Sequence, residues 1–147
     1  MTKPIITTPS FDIYKPDTAS EILLPYIGTL RAGFPSPADD FTGERIDLNK
    51  LVINHPEATY FAKAKGLSMN KDFNEGDLLV IDASLEYRNN NIAMIFIDGD
   101  FTTKRIKKTK NSCCLVSSNK EFPNIEITED SKNLIFGIIT WSFRKHV

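Results

Sequence analysis

The stretch I-A-M-I-F-I-D-G-D-F-T-T-K-R-I, residues 92–106, sets two apolar runs on either side of an Asp-Gly pair. Glycine adopts positive φ at no steric cost, so Asp98-Gly99-Asp100 between Ile92–Ile97 and Phe101–Ile106 predicts a β-hairpin. The hairpin makes its two strands neighbours. A side chain at Lys104 then packs against a core instead of lying in water, and Arg105, one position on, takes the opposite sheet face.

Working outward, Thr59–Ala64 and Leu78–Ile81 are rich in β-branched and aromatic residues and read as strands. Cys113–Val116, Ile125–Ile127 and Leu134–Phe143 continue the pattern to the C-terminus. Short strands at close spacing predict a mainly β fold, a small antiparallel β-sandwich or partly open barrel. Leu48, Leu51 and Val52 recur at helical spacing, with Asp47 a plausible N-cap and Pro56 the stop, which predicts one short helix within Asp47–Asn54. Before it, prolines at 4, 9, 16, 25, 35 and 37 punctuate residues 1 to about 40. Each disfavours helix at its own position and the one before, so this region is expected to be an extended arm. Within it, Ile22–Ile27 is a short apolar stretch suited to lying across the body. Two uninterrupted helices, as a helix-turn-helix needs, have no room there.

With 147 residues, 41% hydrophobic and 25% charged, the chain has the size and balance of one domain with a sizeable core. A net charge of −1 makes no electrostatic case for whole-chain binding to nucleic acid or an anionic membrane. Lys104, Arg105, Lys107, Lys108 and Lys110 are locally basic, a pattern most often met on a solvated hairpin. The two cysteines, Cys113 and Cys114, are adjacent and imply no disulfide framework, which suits a reducing cytoplasm. Alternation along a strand predicts one buried and one partly exposed. The N-terminal residues hold no long apolar run, so neither a signal peptide nor a membrane anchor is expected.

Ser68, in Gly66-Leu67-Ser68-Met69, follows a glycine just after a predicted strand. A serine nucleophile needs a base. His55 precedes a proline and His146 is the penultimate residue, which leaves lysine. Burial disfavours an ammonium and lowers a lysine pKa from its model value of about 10.4. A neutral Lys104 can therefore accept the Ser68 proton, and backbone N–H groups around Gly66, Leu67 and Met69 can bind an oxyanion. The plainer alternatives are a turn or capping serine and one more exposed lysine.

Several segments in order carry a resemblance. Arg31-Ala32-Gly33-Phe34-Pro35-Ser36-Pro37-Ala38 resembles the cleavage site, and Arg45–Asn49 with His55–Phe61 the connecting segment, of the LexA-type self-cleaving serine peptidases, in particular their UmuD-like mutagenesis branch. Gly66–Met69 matches the nucleophile motif, Gly76–Asp82 the next strand, and Asp98–Lys104 the lysine strand. Asn119–Pro123 and Phe136–Ile139 extend the match, which runs from about Arg31 to the C-terminus. Two features depart from the pattern. Leu67 stands where an acidic or small polar residue is common, and the segment from Ser68 to Gly76 is about one residue short. Both bear on the loop that shapes the oxyanion hole and groove, and so on cleavage rate.

The resemblance implies that Ser68 is the nucleophile, Lys104 its general base and the Ala32–Gly33 bond the substrate. A cleavable arm, 1–32, would then precede a peptidase-like β domain, 33–147. The residues agree: Gly33 offers no side chain to block approach, Ala32 suits a shallow pocket, and Pro35 and Pro37 keep the flank extended. Ala-Gly-Phe-Pro also reads as a simple linker. Further implications are stimulation by a RecA filament on single-stranded DNA, a processed homodimer, and partnership with a UmuC-like Y-family polymerase subunit in synthesis past damaged bases. No cofactor or metal is implied. An arm this short leaves no room for the DNA-binding domain of a repressor. Three other readings are a non-catalytic polymerase-binding adaptor that keeps the fold, a membrane-attached signal peptidase, and a small-molecule hydrolase. The last has no triad acid or histidine to support it.

Overall fold

The hairpin forms with a two-residue turn. In the computed structural model, β7 (Ile92–Ile97) pairs with β8 (Asp100–Lys108) from Ile97↔Asp100 back to Ile92↔Arg105. Asp98 and Gly99 carry φ of 54° and 78°, the two left-handed residues that a type I′ turn requires. Asp100 therefore belongs to the strand rather than the connection. The structure describes residues 3–18, 23–25, 45–65, 72–118, 124–128, 131 and 134–147.

The chain divides into two units, Met1–Pro16 with His55–Val147, and Asp17–Asn54. In the smaller, β3 (Leu23–Pro25) pairs antiparallel with β4 (Arg45–Asp47). The helix α1 (Leu48–Val52) follows, capped by Asp47, whose carboxylate accepts the Asn49 N–H at 2.9 Å.

The larger unit is an all-antiparallel nine-stranded sheet. Its other strands are β1 (Ile6–Thr7), β2 (Phe11–Tyr14), β5 (Thr59–Ala64), β6 (Leu78–Asp82), β9 (Cys113–Val116), β10 (Ile125–Glu126) and β11 (Ile135–Phe143). They lie in the order β1-β2-β5-β6-β11-β7-β8-β9-β10. A 3-10 turn at Pro56–Ala58 leads into β5. The apolar run of β7 has a simple cause. Met94 packs into one cluster with Phe11, Ile13, Leu79, Ile81 and Phe101, while Ala93 and Ile95 pack into a second with Ile106, Leu115 and Ile138. A strand covered on both faces has no position for a polar residue. Far along the sheet order, β2 and β8 meet again: the Ser10 N–H and hydroxyl donate to the two carboxylate oxygens of Asp100 at 3.0 and 2.6 Å. The sheet is thus coiled into a partly open barrel, as its strand spacing predicts.

Two expectations change. Residues 3–16 are not a loose arm. Their prolines stop helix but leave β1 and β2 free to pair, and β2 alternates so that Phe11 and Ile13 enter the core, 4% and 0% exposed. Cys113 and Cys114 are both half-buried rather than one in and one out; among the described residues the outer edge of β9 pairs with the two-residue β10. The 32/33 boundary lies outside the described residues.

Gly137 on β11 lies close against β6. A Cβ there would meet Ile81 Cγ2 at 2.6 Å and the Asp82 carbonyl oxygen at 3.1 Å. Gly137→Ala is expected to cost about 1–3 kcal/mol by overpacking. The effect should appear as a lower urea midpoint with unchanged slope; an unmoved midpoint would show that β6 and β11 can separate without cost.

Candidate active site

Lys104 sits in mid-strand on β8, paired with Ala93 on β7, and is 9% exposed. Alternation puts it on the face of Ile106 and of the cross-strand residues Ala93 and Ile95, all three fully buried. Burial is the cause that pushes its amine below the usual lysine range, since a buried ammonium loses hydration that no ion pair among the described residues replaces. Arg105 is half-exposed on the opposite face. Lys107, Lys108 and Lys110 are exposed, so the basic cluster is a solvated strand end with one buried member.

Ser68, with Gly66, Leu67 and Met69, lies outside the described residues, as does the Ala32–Gly33 pair. The frame that carries residues 66–71 is described on both sides. The Ala64 N–H donates to the Asp77 carbonyl at 3.1 Å and the Gly76 N–H to the Ala64 carbonyl at 2.9 Å, which brings the end of β5 against the residues before β6. Gly76 stands at φ 86°, which explains the glycine of the Glu75-Gly76-Asp77 triplet. Phe73 plugs the core cluster of Phe101 and Met94. Asp72 lies 3.7 Å from Arg105, which brings residue 72 to the strand that carries Lys104.

Asp77 locks this frame. Its carboxylate is buried and accepts Arg144 Nε–H at 3.0 Å, an Arg144 terminal N–H at 2.8 Å and the Asn74 N–H at 2.8 Å. The Arg144 fork, aided by the Asn74 N–H, holds the Asp77 carboxyl below the usual carboxylate range against the opposing effect of burial. Nothing local in the sequence links two residues 67 positions apart, and only the Glu-Gly-Asp triplet hinted at Asp77.

A second polar cluster joins His55 to Asp82. The imidazole Nδ1 lies 2.5 Å from Asp82 Oδ2, while the Ser84 hydroxyl and N–H donate to Oδ1 at 2.6 and 2.9 Å. Burial works to raise the Asp82 carboxyl, but Ser84 and His55 together hold it below its ordinary range. The three residue types are those of a hydrolytic triad, yet the serine donates to the carboxylate instead of to the imidazole. The cluster therefore does not activate Ser84 as a nucleophile; it ties the start of β5 to the end of β6.

Two pH effects follow. Asp77, lowered in the folded state, contributes stability that is present above its unfolded value near 3.9 and lost as pH falls through its lower folded value. Arg144→Ala is expected to cost about 1–3 kcal/mol at pH 7 and less at pH 2–3, read from urea midpoints; an equal loss at both would detach the effect from the ion pair. Lys104, lowered likewise, binds its proton more tightly unfolded, so stability should rise with pH between its folded value and about 10.4. Lys104→Met removes that slope, and its advantage over wild type should narrow between pH 6 and pH 9.5. A constant difference would mean that the amine titrates normally.

Comparison with known proteins shows the family. The family model described as Peptidase S24-like matches residues 25–140. The Protein MucA of Salmonella typhimurium is 35% identical over 139 residues, covering 92% of this chain and 94% of the relative. The Protein ImpA of the same organism is 39% identical over 113 residues, 75% of each chain. The LexA repressor of Ectopseudomonas mendocina is 34% identical over 125 residues, 83% of this chain and 60% of the repressor. The chain belongs to the Peptidase S24-like family, as a UmuD-like protein of LexA type.

Proposed function

We propose that the chain is a self-cleaving serine peptidase of the SOS response. Ser68 Oγ attacks the carbonyl carbon of Ala32 while the neutral Lys104 amine takes the hydroxyl proton. The tetrahedral adduct collapses, the bond to Gly33 nitrogen breaks, and Lys104 returns the proton to the leaving amine. Water, deprotonated in turn by Lys104, then hydrolyses the acyl-serine. The products are 1–32 and 33–147. A RecA filament on single-stranded DNA stimulates the cut in the cytoplasm. The processed chain forms a homodimer that serves a UmuC-like, error-prone Y-family polymerase.

The observation that carries the reading is the buried amine of Lys104, unpaired with any described carboxylate and pushed below the lysine range. Placing an uncompensated lysine among Ala93, Ile95 and Ile106 costs stability, and groups so perturbed cluster at sites of chemistry. Its position in the ordered motifs of a peptidase family supports the assignment.

Intact-mass spectrometry after incubation across pH 7–10 tests it. Wild type should yield the mass of residues 33–147 at a rate that rises with pH and levels off at the depressed folded value of Lys104. Ser68→Ala and Lys104→Ala should each lower the rate by at least about 100-fold. If wild type stays whole even with RecA, single-stranded DNA and nucleotide, the adaptor reading replaces this one.

A further inference from the structure

Residues 3–16 form a strand pair, β1 with β2, that is held on the body by partners beyond the proposed cut. In the sheet, β2 pairs with β5 from Phe11↔Ala64 to Tyr14↔Phe61. Phe11 and Ile13 point into the cluster of Ala62, Leu79 and Phe101. Four polar clamps surround this ladder. Ser10 donates twice to Asp100, and its carbonyl accepts the Lys65 N–H at 2.9 Å. Asp12 lies 2.8 Å from the Lys65 ammonium. Lys15 donates to the Glu57 and Thr59 carbonyls at 2.9 and 3.2 Å and stands 4.2 Å over the Tyr60 ring. In the other unit, β3 pairs with β4, again across the cut.

We infer that the exposed side of β5 is a built seat for an extended segment, and that its occupant is the chain's own residues 5–15, which stay bound as a separate strand pair after the chain is cut between 32 and 33. The inference rests on the cleavage site proposed above. Backbone ladder and alternating apolar anchors are the two components by which peptides add to sheet edges, and both are complete here. Cutting the connection lowers the local concentration of the segment but removes none of its contacts. Processing alone then leaves the apolar edge of β5 covered. Baring it takes a second event, in which another extended segment with apolar residues two apart displaces Phe11 and Ile13.

The test makes the cut independently of the dyad. A recognition sequence for a site-specific viral protease is inserted between Ala32 and Gly33 in full-length Ser68→Ala protein, and complete cutting is verified by denaturing mass spectrometry. The expected result is co-elution of the two pieces on size exclusion, with one copy of each in the native mass. In Lys15→Ala/Asp100→Ala protein, cut in the same way, the N-terminal piece should be lost at lower urea concentration. Separate elution of the piece from the body at native salt overturns the inference. So does a double variant that holds the piece as firmly as the parent, because the seat would then lie elsewhere. Failure of the proposed peptidase activity is read separately, from the mass of unmodified wild type.

Discussion

Register in the β7–β8 hairpin is the constraint on which the rest depends. Side chains alternate with period two, so a slip of one residue would carry Lys104 to the face of Phe101 and bring Arg105 into the place it leaves. The two-residue turn at Asp98-Gly99 favours this register, because both positions adopt left-handed backbone, which Asp tolerates and Gly adopts without steric cost. Burial on both faces of β7 locks the choice. Ala93, Met94 and Ile95 are fully buried, so the register decides which β8 side chains enter which apolar cluster. One buried amine, and the chemistry it permits, thus follows from turn stereochemistry and from the absence of water on either side of a strand.

Closure of the barrel draws on the same hairpin. Asp100, the first residue after the turn, receives both donors of Ser10, while Phe101 beside it stacks edge-on to Phe136, 5.2 Å between centroids. Burial works to raise the Asp100 carboxyl, but the Ser10 donors hold it below its ordinary range. The N-terminal strands thereby become part of the folded body. The segment supplies two core residues, Phe11 and Ile13.

The described residues on either side of positions 66–71 are tied together by groups with no chemical task of their own. Ala64 and Gly76 bond to each other, Phe73 packs into the core, and the Asp77–Arg144 fork fixes the turn before β6. The His55–Asp82–Ser84 cluster makes the converse point. It holds the residue types of a triad in contact, and its hydrogen-bond directions give it a structural task.

Much of this was legible along the chain. The strands β5, β7 and β9, the Asp-Gly turn, the Asp47 cap and the burial of Lys104 all follow from local signals: apolar run length, positive-φ tolerance and side-chain parity. Family motifs in order completed the reading of the second half. Residues 3–16 were misjudged because prolines announce only what a segment cannot do; whether Phe11 and Ile13 find a partner depends on an edge at residues 61–64 that no local window contains. Asp77–Arg144 and Ser10–Asp100, 67 and 90 positions apart, were invisible for the same reason. By itself the sequence determined the strands, the turn and the identity of the candidate base, since each depends on neighbours within a few residues. Tertiary structure alone decided which edges pair, which carboxylates are clamped and that the N-terminal segment belongs to the core, because those energies arise only when distant parts of the chain exclude water together.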